Sequence, residues 1–244
     1  MKIIETFISI IKHFARLMKM KPLLQFILLL FISSCQGQTK SKDYKAVLKE
    51  IEAKKSAFQT SYSNANETSK AKIIEETRTY LTKVIVKDIF KQWYGTKWDF
   101  NGTTRTPQKG EIACGYFVTT VLVDVGFKIP RIKWAQSASE VFIKKLAPNN
   151  LKRFTDRPIS EVKKYLFAAG DGLYLVGLDN HVGFVLVDGK SISFIHSNYY
   201  YPEVGVMKED ISTKNPLKDS HYRIFGKLLT DEMVINWLED NAYE

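Results

Sequence analysis

Beyond residue 34 the chain holds two cysteines, Cys35 and Cys114, and three histidines, His181, His196 and His221. Cys114 opens a run in which Phe117, Val118, Val121, Leu122 and Val125 recur at helical spacing until Gly126 stops it. Cys114 is therefore expected at a helix N-terminus, where the helix dipole favours thiolate over thiol and so raises nucleophilicity. A base comes from the strands. Asp188-Gly189 is a two-residue type I′ hairpin signal between two apolar runs. A turn centred there pairs Val187 with Lys190, Val185 with Ile192 and Gly183 with Phe194, and sets His181 opposite His196. Directly opposed residues share a sheet face with Cβ atoms roughly 5 Å apart, so the two rings can meet. His181 then serves as general base and later as acid to the leaving amine, while His196 orients it and fixes its tautomer. Backbone N–H groups at the start of the Cys114 helix could supply part of an oxyanion hole.

Two other readings use the same residues. Cys114, His181 and His196 could ligate Zn²⁺, although the short-spaced ligand pairs common in zinc sites are absent. The cleft could also serve a non-enzymatic envelope module that only binds. His221 begins an expected strand and reads as structural, and His13 lies in the leader. The cysteine chemistry calls for no cofactor.

The elements that must position these groups follow from periodicity. Residues 43–58 give a weak helical pattern, and a stronger helix is expected from Thr68 to Trp93. A loop rich in Gly, Thr and Asn, containing Trp98 and Phe100, spans Tyr94 to Gly110, and loops of that length in compact domains are usually functional. After the Cys114 helix come expected helices at 137–147 and 159–168, the latter with Ser160 near its cap. Strands are expected at Leu173–Leu178, His181–Val187, Lys190–Ser197, Val204–Met207 and Tyr222–Leu229. Thr230, Asp231 and Glu232 begin a final helix ending near Asp240. Helices first and then a meander of strands give an α+β fold with an antiparallel sheet.

Residues 21–35 read as a bacterial export signal: Lys21, a short apolar stretch, then Ile32-Ser33-Ser34-Cys35, similar to a lipobox. The apolar run is too short for the roughly twenty residues of a spanning helix. Cys35 is thus the expected lipid attachment site and residues 1–34 the signal, with Met18 or Met20 as possible true starts. Residues 35–66 are expected to be a tether and weak helical segment, and 67–244 the catalytic domain. The formal charge is +10, and removing Lys2, Lys12, Arg16, Lys19, Lys21 and Glu5 with the signal leaves +6. No basic run interleaved with aromatics suggests nucleic acid; an anionic envelope or substrate fits better. An exported chain whose other cysteine is lipidated leaves Cys114 without a disulfide partner.

The stretch from about Tyr94 to Met207 resembles the NlpC-type cell-wall cysteine peptidases, a papain-like family that cleaves peptidoglycan stem peptides. Gly95-Thr96-Lys97-Trp98-Asp99-Phe100-Asn101-Gly102 is similar to the family's G-T-P-Y-x-x-G-G loop, and Ala113-Cys114-Gly115-Tyr116-Phe117-Val118 falls on its Asp-Cys-Ser-Gly-Phe-Val nucleophile motif. Gly126-Phe127-Lys128-Ile129-Pro130-Arg131, with Gln136, is similar to G-x-x-L-P-R…Q, and Gly170-Asp171-Gly172-Leu173 to the G-D-L turn. His181-Val182-Gly183-Phe184 and Phe194-Ile195-His196-Ser197 match H-V-G-I and F-I-H-A. The resemblance implies a papain-like fold, a triad of Cys114, His181 and His196, and substrate contacts at Trp98, Gly115 and Tyr116. It implies an amide hydrolase acting on peptidoglycan peptides at the envelope, where the lipobox-like Cys35 is the expected lipid anchor. The family's Asp and Ser beside the nucleophile hold the free amine of an N-terminal alanine, and Ala113 and Gly115 replace them. Related papain-like folds act as amidases or acyltransferases on other substrates. Trp93, Trp98, Tyr116, Trp134 and Tyr199-Tyr200-Tyr201 are candidates to line an apolar or sugar-stacking cleft.

Overall fold

A computed structural model describes residues 43–244. The expected signal and the Cys35 attachment site lie outside the described residues.

The described residues form an α+β arrangement of helices and one antiparallel sheet. They begin with α1 (Tyr44–Ser63) and α2 (Glu67–Val84), continue through a π turn (Ile85–Ile89) into α3 (Phe90–Trp93), and cross a long loop to α4 (Cys114–Asp124). Next come α5 (Arg131–Ala135), α6 (Ser139–Leu146), β1 (Leu151–Thr155) and α7 (Ile159–Ala169). Strands β2 (Gly172–Leu178), β3 (Val182–Asp188), β4 (Ser191–Asn198) and β5 (Gly205–Asp210) form a meander. The helix α8 (Pro216–Asp219), β6 (Tyr222–Lys227) and α9 (Asp231–Leu238) end the chain. The strand order is β1-β6-β2-β3-β4-β5, with every pairing antiparallel.

Both sheet faces are covered, which is why β2, β3 and β4 read as nearly continuous apolar runs and not as alternating strands. On one face Phe117, Val118, Val121 and Leu122 of α4 pack with Leu175, Phe184, Leu186 and Ile195. On the other, Val162 and Leu166 of α7 pack with Tyr174, Val185, Phe194 and Phe225. A helix covered all round must be apolar all round, and α4 is buried along nearly its whole length.

Its C-terminal end is held by other elements. Gly126 adopts φ +96° just after the helix, the left-handed stop that glycine allows. Trp237 of α9 donates its indole N–H to the Val125 carbonyl at 2.8 Å, and Lys55 of α1 donates to that of Gly126 at 2.7 Å. The Tyr44 hydroxyl donates to the Asp124 carboxylate at 2.6 Å, and Arg105 pairs with the same carboxylate at 2.7 Å. These contacts, with Val47 and Ile51 in the core, make α1 part of the compact unit 43–244. The segment read from sequence as tether and weak helix thus includes a structural helix of the domain.

Several boundaries differ from the sequence expectation. The expected Thr68–Trp93 helix is interrupted by the π turn, whose extra residue shifts the helical phase; Phe90 then packs against Phe117 and Phe184. Pro158 and not Ser160 precedes α7, and no side chain caps it. The strand β1 has burial on only one central position and too little apolar alternation to be read. Thr230 caps α9, accepting from the Met233 N–H.

The hairpin register also differs. The structure pairs Asp188 with Ser191, Val187 with Ile192 and Val185 with Phe194, so the two loop residues are Gly189 and Lys190. Only Gly189 of that pair has positive φ, +60°, the pattern of a type II′ turn with glycine first. The type I′ turn expected at Asp188-Gly189 would have required positive φ at Asp188 as well. The turn centre moves by one residue, which keeps every side chain on its face but makes His181 and His196 diagonal and not opposite neighbours.

Candidate active site

The helix start presents Cys114 with no competing cap. The N-cap is Ala113, whose side chain cannot accept a hydrogen bond, so the first-turn N–H groups remain for an anion. The sulfur of Cys114 receives its own N–H, that of Gly115 and that of Val182, the first residue of β3. These three donors pull the thiol pKa down, but burial is the larger effect and pushes it up. Burial thus opposes the thiolate that the helix start and the three N–H groups favour.

His181 sits directly before β3, one residue from the N–H that reaches the sulfur. Its Nε2 lies 2.8 Å from Nδ1 of His196, and Nε2 of His196 lies 2.7 Å from Oε1 of Glu209 on β5. The Glu209 second oxygen is 3.2 Å from the Thr213 hydroxyl. The His196 ring stacks on Phe194 with centroids 4.0 Å apart, and Tyr199 packs edge-on to His181 at 5.1 Å. Both imidazoles are buried. Burial holds His181 far below the ordinary imidazole pKa, helped by the neighbouring His196, and pushes His196 down to about 3. Burial raises the Glu209 carboxyl, opposed by the Thr213 contact. Among the described residues Nδ1 of His181 has no hydrogen-bond partner.

Cys114 and His181 open onto one cavity of about 1040 Å³ at the ends of β2 and β3. Trp98, Gly115 and Tyr116 line it, as do Tyr199 and the largely exposed Phe100. Trp93 and Trp134 do not line it; both are core residues, Trp134 stacked on Phe142. Gly115 contributes by what it lacks. A Cβ there would meet the Ala135 carbonyl oxygen at 2.3 Å, so the backbone of α5 occupies the space a serine would need. The Tyr116 hydroxyl lies 3.0 Å from the Gln136 amide nitrogen, and the Arg131 guanidinium lies over its ring at 4.9 Å.

Among the described residues, the charged side chains lining the cavity are Glu140 and Asp179. Both are already occupied. Glu140 is bonded to Lys144, Arg153 and Tyr222, which hold its carboxyl down to about 2. Asp179 accepts from Ser220 and from the His221 and Tyr222 N–H groups. Among the described residues no three His, Cys, Asp or Glu side chains are grouped to hold a metal ion, and His181 and His196 spend ring nitrogens on each other.

Glu209 is the residue that sequence reasoning missed. The expected strand stopped at Met207, but β5 continues to Asp210 and pairs His196 with Met207 and Phe194 with Glu209. The signal was the two-residue period: an acid two places beyond the residue opposite His196 shares its face. No family model, curated protein or solved structure matches the chain.

Proposed function

We propose that the chain is a cysteine amidase of papain-like type that hydrolyses amide bonds in peptidoglycan stem peptides at the bacterial envelope, tethered by a lipid on Cys35. The supporting observation is the chain of buried hydrogen bonds from Glu209 through His196 to His181, ending at a buried Nδ1 that has no hydrogen-bond partner among the described residues, the Cys114 sulfur included, on a residue that lines the same cavity as Cys114. In this reading Nδ1 accepts the thiol proton as sulfur attacks the amide carbonyl, forming the S–C bond. The tetrahedral intermediate then expels the amine, which takes the proton from His181 as the C–N bond breaks. Water, deprotonated by the same nitrogen, cleaves the thioester to release the carboxylate and restore the thiol. First-turn N–H groups of α4 stabilise the developing oxyanion. Because burial disfavours a free thiolate, proton transfer to His181 becomes part of the attack itself.

A second reading keeps this chemistry and changes the substrate. Ala113 and Gly115 offer no polar side chain to hold a free amine, and among the described residues no lysine or arginine lines the cavity to meet the carboxylates of a stem peptide. An uncharged or apolar amide, or acyl transfer to an acceptor other than water, suits that lining. Incubating the protein beside Cys114→Ala with purified peptidoglycan fragments and with a panel of N-acyl amides, products read by mass spectrometry, separates the two. Cys114-dependent cleavage of stem peptides supports the first reading, and cleavage confined to the N-acyl amides supports the second. Absence of both rejects the amidase.

A further inference from the structure

We propose that Glu209 is a positioning residue that sets the tautomers of both buried imidazoles, leaving a bare lone pair on His181 Nδ1. The inference deepens the amidase reading, in which that nitrogen is the base, but the proton assignment follows from the hydrogen bonds alone.

A neutral imidazole carries one N–H, and an ionised carboxylate can only accept. The 2.7 Å contact between Glu209 Oε1 and His196 Nε2 therefore takes the single N–H of His196. That length is typical of a charge-assisted bond to carboxylate. His196 Nδ1 is then bare, so the proton in its 2.8 Å contact with His181 must come from His181 Nε2. With its only N–H spent, His181 is left with an unprotonated Nδ1, and that is the buried ring atom with no partner among the described residues.

A protonated or absent acid at 209 loses this direction. Either ring could then donate, and in the reversed arrangement His181 carries its proton on Nδ1, where it cannot accept one from Cys114. The packing leaves the rings little freedom to escape this by rotating: His196 is stacked on Phe194 and His181 is held by Tyr199 and Phe194. Around the acid, Thr213 faces its second oxygen, and the neighbouring Asp210 is engaged by the Ser212 N–H. Burial raises the Glu209 carboxyl and the Thr213 contact opposes that rise, while the 2.7 Å contact with His196 gives the ionised carboxylate a donor.

The test is long-range ¹H–¹⁵N NMR of the histidine-labelled chain at pH 7, which reads the protonated nitrogen of each ring, beside hydrolysis of the substrate found above. Expected are the Nε2–H tautomer for both His181 and His196 in the parent. In Glu209→Gln, whose amide can either donate or accept, both rings should become tautomer mixtures, and kcat should fall at least tenfold with KM little changed. A proton on His181 Nδ1 in the parent overturns the proposal without need of any variant. So does a folded Glu209→Gln that keeps the parental tautomers and rate. The predicted tautomers in a protein that cleaves no amide would support the Glu209 assignment while sinking the amidase reading.

Discussion

Two histidines kept neutral by burial make the domain sensitive to mild acid. The pKa of His196 is pushed down to about 3 in the folded state, against an ordinary imidazole value near 6.5. As pH falls below 6.5 the unfolded chain takes up a proton there that the folded chain does not, so the unfolded state gains stability. The effect is absent above pH 6.5 and grows as pH falls toward 3. One group contributes about 1.4 kcal/mol per pH unit, so between pH 6.5 and 5 His196 alone removes about 2 kcal/mol. For a domain of this size that corresponds to a melting point lower by roughly 4–8 °C. His181, whose pKa is also far below normal, acts in the same direction. Glu209, with a raised carboxyl, takes up its proton first in the folded state and opposes the slope. Glu140, held down to about 2, loses its stabilising contribution only below its ordinary carboxyl pKa, outside this window. The assay is thermal unfolding by circular dichroism from pH 7.5 to 5 for the parent and His196→Asn. The variant should start less stable and show a distinctly shallower pH slope. Equal slopes would refute the reasoning, because they would mean that His196 titrates alike in both states.

The raised pKa of Cys114 predicts slower alkylation by iodoacetamide at pH 7 than for a free thiol, with a rate profile displaced to higher pH; a profile displaced to lower pH than that of a free thiol would instead indicate a preformed thiolate. Gly115→Ser, which restores the residue of the resembled family, should cost about 1–3 kcal/mol in urea unfolding through collision with the Ala135 carbonyl. An equally stable variant would show that α5 does not lie against the start of α4. Tyr44→Phe removes a hydrogen bond to the buried Asp124 carboxylate and should cost about 1.5–3 kcal/mol by the same assay; no change would argue against α1 as part of the domain.

The α+β order, the helix that Cys114 begins and most strands were legible because their apolar residues repeat at 3.6 or run unbroken through a doubly covered sheet. The meeting of His181 and His196 was legible despite a misplaced turn, since a register displaced by two positions preserves the faces and long rings bridge a diagonal. Glu209 was hidden in Lys208-Glu209-Asp210, where a strand end without apolar residues looks like loop. For Cys114, the helix position is visible in sequence, whereas the burial that opposes the thiolate arises only once the chain is folded around the sulfur. Likewise Gly115 shows its purpose only once the carbonyl of Ala135 is in place.

The account turns on a covalent acyl group passing through Cys114. Turnover of a cleaved amide in the presence of hydroxylamine, with products identified by mass spectrometry, tests this directly. The account predicts that hydroxylamine intercepts the thioester, giving the hydroxamate of the acyl half in the parent and none with Cys114→Ala. Undiminished cleavage by Cys114→Ala, or hydrolysis by the parent that yields no hydroxamate at any hydroxylamine concentration, would contradict it.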